Sequence, residues 1–291
     1  MLVELAVGDA YGACFEYADE AFVARHNTVA GYLQHPTHRD LRPGCYTDDT
    51  QMTIAVTEAL LSGEPWTTEM LADRFVLAFR RDQRAGYSGG FHALLRQVRD
   101  GQELLDRIEP ASDRSGAAMR AGPIGLLPDV PEVLHRVDVQ ARITHDTDSG
   151  VDAARAAALA VHYCHYDLGP VAQVGAWVDD RLRAAGGSGG WARPWHGPVG
   201  EQGWKSVRAA LTALAAHDSL TGVLRACVAF TGDVDTVATI ALGAAARSPQ
   251  ITADLPQALL DGMENGRYGH SYLRELDTRL MTWAARYGIR S

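Results

Sequence analysis

Three short acidic clusters carry the chemistry this sequence could perform. The first is Gly8-Asp9-Ala10-Tyr11-Gly12, with Glu16 just beyond it. The second is Thr47-Asp48-Asp49-Thr50, and the third is Gly232-Asp233-Val234-Asp235-Thr236. The last two stand directly before apolar helical stripes. A single Thr or Asp there would be an ordinary N-cap, and acidic residues in a first turn favour the helix dipole. A cap needs one oxygen, however, and each of these helices offers several. Contiguous Thr47, Asp48 and Asp49 cannot all cap, while Asp233 and Asp235 bracket a helix start and can both turn toward one point ahead of it. If the two starts converge and Glu16 joins them, five carboxylates share one small volume: Glu16, Asp48, Asp49, Asp233 and Asp235. Their repulsion then demands raised pKa values or bound cations. Two divalent cations would offset about four of the five charges. Oxygen ligands without thiolates or clustered imidazoles favour Mg2+, Mn2+ or Ca2+ over zinc. Metal pairs about 4 Å apart are suited to activating water and holding vicinal oxygens.

The elements that must position these groups read as helices. Met52, Val56, Ala59 and Leu60 form one apolar stripe, and Leu71, Phe75, Ala78 and Phe79 form another. The segment 151–165 is rich in alanine, and 206–216, 220–230 and 236–246 repeat the helical pattern, whereas period-two runs of Val, Ile and Thr are hard to find. The fold class expected is therefore all-α. Small residues around the third cluster, Gly232, Ala238 and Gly243, would let helices pack closely enough to bring two N-termini together. Gly and Pro clusters mark loops at 31–46, 84–90, 109–116 and 186–203. The last carries Trp191 and Trp195, which argues for a packed or ligand-proximal loop over a linker.

Composition agrees with a globular protein. The chain has 291 residues, 46% of them hydrophobic and 22% charged, enough apolar material for a sizeable core. Chemistry-bearing clusters near both ends must meet somewhere, so residues 1–291 are expected to form one domain. A formal net charge of −9 opposes a sequence-independent grip on nucleic acid. Cys14, Cys45, Cys164 and Cys227 are scattered without metal spacing and read as reduced thiols. No signal-peptide pattern or membrane-spanning run is present, so a cytoplasmic protein is expected, with a monomer as the default state.

Taken in order, the motifs resemble those of the ADP-ribosyl-acceptor hydrolase (ADP-ribosylglycohydrolase) family, which includes the dinitrogenase reductase-activating glycohydrolases. GDAYG with Glu16, GCYTDDTQM, SGAAMRAGPIGLL, THDTDSGVDAARAAALAVH, GWKSVRAALTAL and TGDVDTVATIALGAAA all match family segments, covering nearly the whole chain. The resemblance implies a single-domain orthogonal helical bundle with two Mg2+ or Mn2+ ions in a cleft between helix ends. It implies that Thr47, Asp48 and Asp49 ligate one ion. Asp233, Asp235 and Thr236 would ligate the other, with Asp235 bridging. Glu16 matches a glutamate on a mobile flap, and His145 a histidine near a ribose. Gly86, Tyr87, Ser88, Gly89 and Gly90 resemble a phosphate-cradling loop. Ser115, Gly116, Ala117 and Met119 fit a loop that contacts the distal ribose and diphosphate.

The activity implied is hydrolysis of the bond from C1″ of ADP-ribose to an acceptor, through an oxocarbenium-like transition state. The partners implied are an ADP-ribosylated protein or a small ADP-ribose conjugate, with ADP-ribose as product; ADP-ribosylated nucleic acid is allowed by the resemblance but not indicated. Glu16 ranks first for acid/base work, with Asp48 and Asp49 as further catalytic candidates. Trp191, Trp195 and Tyr87 are candidates to stack on adenine. Arg120 could meet phosphate or form a salt bridge within the fold. Three departures from the family pattern stand out, the first being that only seven residues precede Gly8 where the family often has a helical lead-in. Ser115 replaces an asparagine, and Ala85 replaces the acidic residue that arginine-type members place before the glycine, which leans toward a serine or other O-linked acceptor. The competing readings are a catalytically silent ADP-ribose-binding protein of the same fold and a two-metal phosphoesterase. The second would ordinarily add histidine ligands on an α/β fold.

Overall fold

The computed structural model describes residues 1–39 and 41–287. Within them lie fifteen α-helices and three short 3-10 helices with no strand, extended pairing being confined to four isolated bridges, which fits the all-α expectation. In chain order they are α1 (Leu2–Gly12), α2 (Glu20–His26), α3 (Asp48–Ser62), α4 (Thr68–Arg81), α5 (Gly89–Leu95), α6 (Gly101–Arg107) and α7 (Gly116–Met119). Then come α8 (Val130–Arg142), α9 (Asp148–His165), α10 (Val174–Ala184) and α11 (Gly203–Ala216). The last four are α12 (Leu220–Ala229), α13 (Val234–Ala245), α14 (Gln257–Gly262) and α15 (His270–Ala284).

Local signals account for many of the boundaries. α4 starts at Thr67, whose hydroxyl accepts from the Met70 N–H, and carries Glu69 in its first turn and Arg80 and Arg81 in its last, each matched to the helix dipole. Its Leu71, Phe75, Ala78 and Phe79 stripe is buried, as is the Met52, Val56, Ala59 and Leu60 stripe of α3. α3 stops at Gly63, whose φ of 72° suits the left-handed C-cap. The Ala-rich helix α9 is almost wholly buried and touches α7, α8, α10, α11 and α13. Its small side chains let several neighbours approach one axis at once.

α1 and α13 pack backbone against backbone. A Cβ added at Gly8 would stand 2.6 Å from the carbonyl oxygen of Ala238, and one at Gly12 would stand 2.4 Å from Cα of Asp235. Both distances are impossible for real atoms, so the two glycines of the first cluster are required by backbone contact between helices. The apolar core runs continuously from Met1 to Ala284 through these helices. None of them is long and apolar enough to cross a membrane.

Candidate metal and substrate cleft

A cleft of about 670 Å³ opens where the starts of α3 and α13 meet the turn that follows α1. Its size suits a nucleotide-like ligand. Asp48 and Asp49 enter it from α3, Asp233 and Asp235 from α13, and Glu16 from the turn. The two helix starts, far apart in sequence, thus face one volume. Carboxylate oxygens of Glu16, Asp233 and Asp235 lie within 4.8 Å of one another.

Asp9 holds this arrangement from behind. It is fully buried and accepts hydrogen bonds from the backbone N–H and hydroxyl of Thr47 (3.0 and 2.8 Å) and of Thr50 (2.9 and 2.6 Å). The two threonines of the second cluster therefore fasten the start of α3 to α1. Thr47 also caps α3, accepting from the Asp49 N–H. Its hydroxyl faces Asp9 and is not part of the cleft wall. No metal or substrate role had been attached to Asp9. The signal was available: an acid flanked by glycines in an otherwise apolar helix must be buried and needs donors.

The third cluster is fixed by the long loop. Gly232 adopts φ 88°, and a Cβ there would meet the Val199 carbonyl at 1.9 Å. Val199 accepts from the Asp233 N–H (3.0 Å) and donates to the Thr231 carbonyl (2.9 Å), and Ser206 Oγ donates to Asp233 (3.0 Å). The 186–203 loop is thus both packed and close to the site, with Glu201 at the rim. Trp191 and Trp195, however, do not line the cleft. Trp191 is buried and donates to the Ser188 carbonyl, and Trp195 packs edge-on against Trp204. As adenine platforms they are withdrawn; Tyr87 and Phe91 line the cleft instead.

Glu16 sits in a turn pinned on two sides. The N–H of Tyr17, at an unusual φ of 51°, donates to the Gly232 carbonyl (2.9 Å). His35 Nε2 donates to the Glu16 carbonyl (2.8 Å), because its Nδ1 already accepts from the N–H groups of Thr37 and His38. Neither the type nor the spacing of His35 signals this latch in the sequence.

The other predicted residues divide. Gly86, Tyr87, Ser88 and Gly90 line the cleft, as do Ser115, Gly116, Met119 and His145. Gly89 opens α5 and does not line it, and Ala117 is buried behind the wall. Gly86 is required by its backbone, since its φ of 102° strains any side chain, and a Cβ there would also press on Asp48 Oδ1 and Thr47 Cβ. Arg120 meets no carboxylate; its hydrogen bonds go to Gln140 and Thr144.

Burial and mutual repulsion shape the electrostatics. Glu16 is pushed up to about 7 by burial first, then by Asp233, Asp9 and Glu201. Asp48, Asp49 and Asp235 are raised well above the usual carboxylate range, again chiefly by burial and then by neighbouring acids. Among the described residues none of these carboxylates forms an ion pair, although the buried Arg120 is close enough to feel the charge of Asp48. Asp49 Oδ1 is buried without any hydrogen-bond partner. A set of hard oxygens with an orphaned carboxylate oxygen fits divalent cations such as Mg2+ or Mn2+.

The all-α fold thus brings acidic helix starts, far apart in the chain, to one nucleotide-sized cleft. Residues 1–287 match the family model described as ADP-ribosylglycohydrolase, and the chain belongs to that family. It is similar to ADP-ribosylhydrolase ARH3 of Mus musculus, with 30% identity over 175 residues, covering 54% of this chain and 45% of that protein. The Homo sapiens ARH3 is 29% identical over 177 residues, covering 54% and 46%. The chain spans about half the length of the curated relatives it matches. A solved structure, an "ADP-ribosylglycohydrolase-related protein complex", shares the fold with a TM-score of 0.69 at 21% identity, covering 98% of this chain and 96% of that one.

Proposed function

We propose that this protein is a divalent-metal-dependent hydrolase that cleaves the bond between C1″ of an ADP-ribosyl group and its acceptor, releasing ADP-ribose. The observation that carries the reading is the gathering of Glu16, Asp48, Asp49, Asp233 and Asp235 around one nucleotide-sized cleft, with a buried Asp49 oxygen left unpartnered. Family membership and the likeness to ARH3 agree with it. Residues 1–291 are taken as one domain acting as a monomer.

Two ions, Mg2+ or Mn2+, would be held by Asp48 and Asp49 on one side and by Asp233, Asp235 and Thr236 on the other. Thr47, whose hydroxyl already serves Asp9, would contribute least. Bound ions supply positive charge that fixes the ribose hydroxyls. The protein does the remainder. Glu16, with a pKa near neutrality, can take a proton from attacking water or give one to the departing oxygen. Positive charge developing on the ribose is stabilised by the surrounding carboxylates. Backbone N–H groups beside Gly86 and Gly116 can approach the diphosphate closely. Tyr87, Phe91, Leu94 and Ile108 form an apolar wall suited to a nucleobase. Ala85 in place of an acidic residue favours a serine or other O-linked acceptor over arginine.

The test is release of ADP-ribose from a panel of defined ADP-ribosylated serine, arginine and small-molecule substrates, with and without EDTA, for wild type and Glu16→Gln. Metal-dependent release that Glu16→Gln abolishes supports the reading. Tight ADP-ribose binding with no release from any substrate would replace it with a silent binding protein.

A further inference from the structure

We propose that Arg120 and Thr144 are positioning residues that fix the tautomer of His145. Arg120 orients the Thr144 hydroxyl so that its proton goes to His145 Nδ1, leaving a neutral imidazole whose Nε2–H points at an oxygen of the ligand in the cleft. The inference deepens the reading above and rests on it for the identity of that ligand.

Arg120 is the largest fully buried side chain of the protein, 1% exposed, and its position is over-determined. Its guanidinium lies 4.4 Å over the Phe75 ring. Its Nε donates to Gln140 Oε1 (2.6 Å), and its Nη2 donates to the Gln140 carbonyl (3.0 Å) and to Thr144 Oγ1 (2.8 Å). Arginine offers donors only, so the Thr144 oxygen must accept from it. That oxygen lies 2.6 Å from His145 Nδ1. If Nδ1 carried the proton, the hydroxyl would accept twice and its own buried proton would have no acceptor among its hydrogen-bonded neighbours. The satisfied arrangement runs one way: Arg120 donates to Thr144, and Thr144 donates to Nδ1. The imidazole proton is then on Nε2.

Nε2 is buried with no hydrogen-bond partner in the protein, and His145, only 6% exposed, lines the cleft. A Cβ on the adjoining Gly116 would stand 3.0 Å from the ring's Cε1 and 3.4 Å from Nε2, so a glycine there keeps the approach to Nε2 open. A buried N–H without an acceptor is costly, and an oxygen of the bound diphosphate sugar would relieve it. Burial and the Arg120 charge together hold the ring neutral, with the pKa lowered to about 3. The same hub steadies the neighbouring wall, because the Gln140 side-chain amide donates to the Ala117 carbonyl (3.1 Å).

The experiment is long-range 1H–15N correlation of the histidine rings in the Mg2+-loaded protein, with His145→Gln for assignment, alongside calorimetric titration of ADP-ribose and of Mg2+. Wild type should show His145 with the proton on Nε2 and no titration from about pH 5 to 8. Thr144→Val should give mixed tautomers and bind ADP-ribose about tenfold more weakly, ~1.4 kcal/mol, with unchanged Mg2+ affinity. Thr144→Ser should restore both. Arg120→Met should free the hydroxyl to accept from Nδ1–H and shift the tautomer; Arg120 and Thr144 themselves reach the cleft wall, so the tautomer spectrum, not affinity alone, is the deciding readout. A proton on Nδ1 in wild type, or a wild-type tautomer and affinity in Thr144→Val, overturns the proposal. The wild-type spectrum decides even if a variant fails to fold. Absence of ADP-ribose binding by wild type would instead sink the functional reading.

Discussion

Replacing Gly12 by alanine tests how the fold creates the site. The added Cβ would begin 2.4 Å from Cα of Asp235, with the Asp235 nitrogen at 2.7 Å and the Val234 carbonyl at 2.9 Å. All three are backbone atoms, so no side chain can swing aside. Ordinary contact needs at least 3.4 Å, so α1 and the start of α13 must separate by about 1 Å. Alanine's better helix propensity returns up to about 1 kcal/mol, while overpacking against rigid backbone costs about 1–3 kcal/mol or more. The expected net destabilisation is ~1–2 kcal/mol. The functional effect should be larger than that figure suggests. A displacement of about 1 Å at Asp235 moves it relative to Asp48, Asp49 and Glu16, and misplacement on that scale can cost on the order of 100-fold in rate. Urea denaturation would measure stability, calorimetry with Mn2+ would measure the ions, and ADP-ribose release would measure turnover. Gly31→Ala, where nothing lies within 4 Å, is the control. A Gly12→Ala protein with wild-type stability, Mn2+ affinity and turnover would refute the claim that this helix contact sets the geometry.

Further outcomes follow from the same geometry. Asp9→Asn turns one of its acceptor oxygens into a donor facing the Thr47 and Thr50 donors, so it should cost about 2–4 kcal/mol in urea midpoint analysis and weaken Mn2+ binding, although Asp9 does not line the cleft. In the metal-free protein, Glu16, Asp48, Asp49 and Asp235 have folded pKa values above their unfolded ones. Such groups favour the native state when protonated, so stability in EDTA should fall as pH rises from about 4 through about 7, and Mg2+ at pH 8 should restore it. Urea midpoints that rise with pH in EDTA across that window would contradict this. Phe91→Ala should weaken ADP-ribose binding about tenfold in calorimetry. Trp195→Ala should leave it unchanged, and equal losses in both would place the base elsewhere.

Much of this site is legible in the chain itself. Thr47 and Asp233 stand where caps belong, and the surplus of acids behind each cap cannot be explained by capping. Should those helix starts converge, charge repulsion calls for raised pKa values or bound cations. The apolar stripes of α3 and α4 repeat at helical spacing, so their faces could be read directly. What local pattern cannot encode is which distant groups meet. The glycines at 8 and 12 look like ordinary motif residues until α13 is laid against them. Asp9 reads only as part of a motif until its donors from α3 surround it. His35 and Arg120 have no periodicity or spacing that marks them. Their roles come from hydrogen bonds to the Glu16 carbonyl and the Thr144 hydroxyl, made across loops and helices that only tertiary packing brings together. Sequence determines which residues can cap, bury or repel, because those properties are local. Which nitrogen of His145 carries a proton, and which tryptophans reach the ligand, depends on three-dimensional neighbours, and the fold alone selects them.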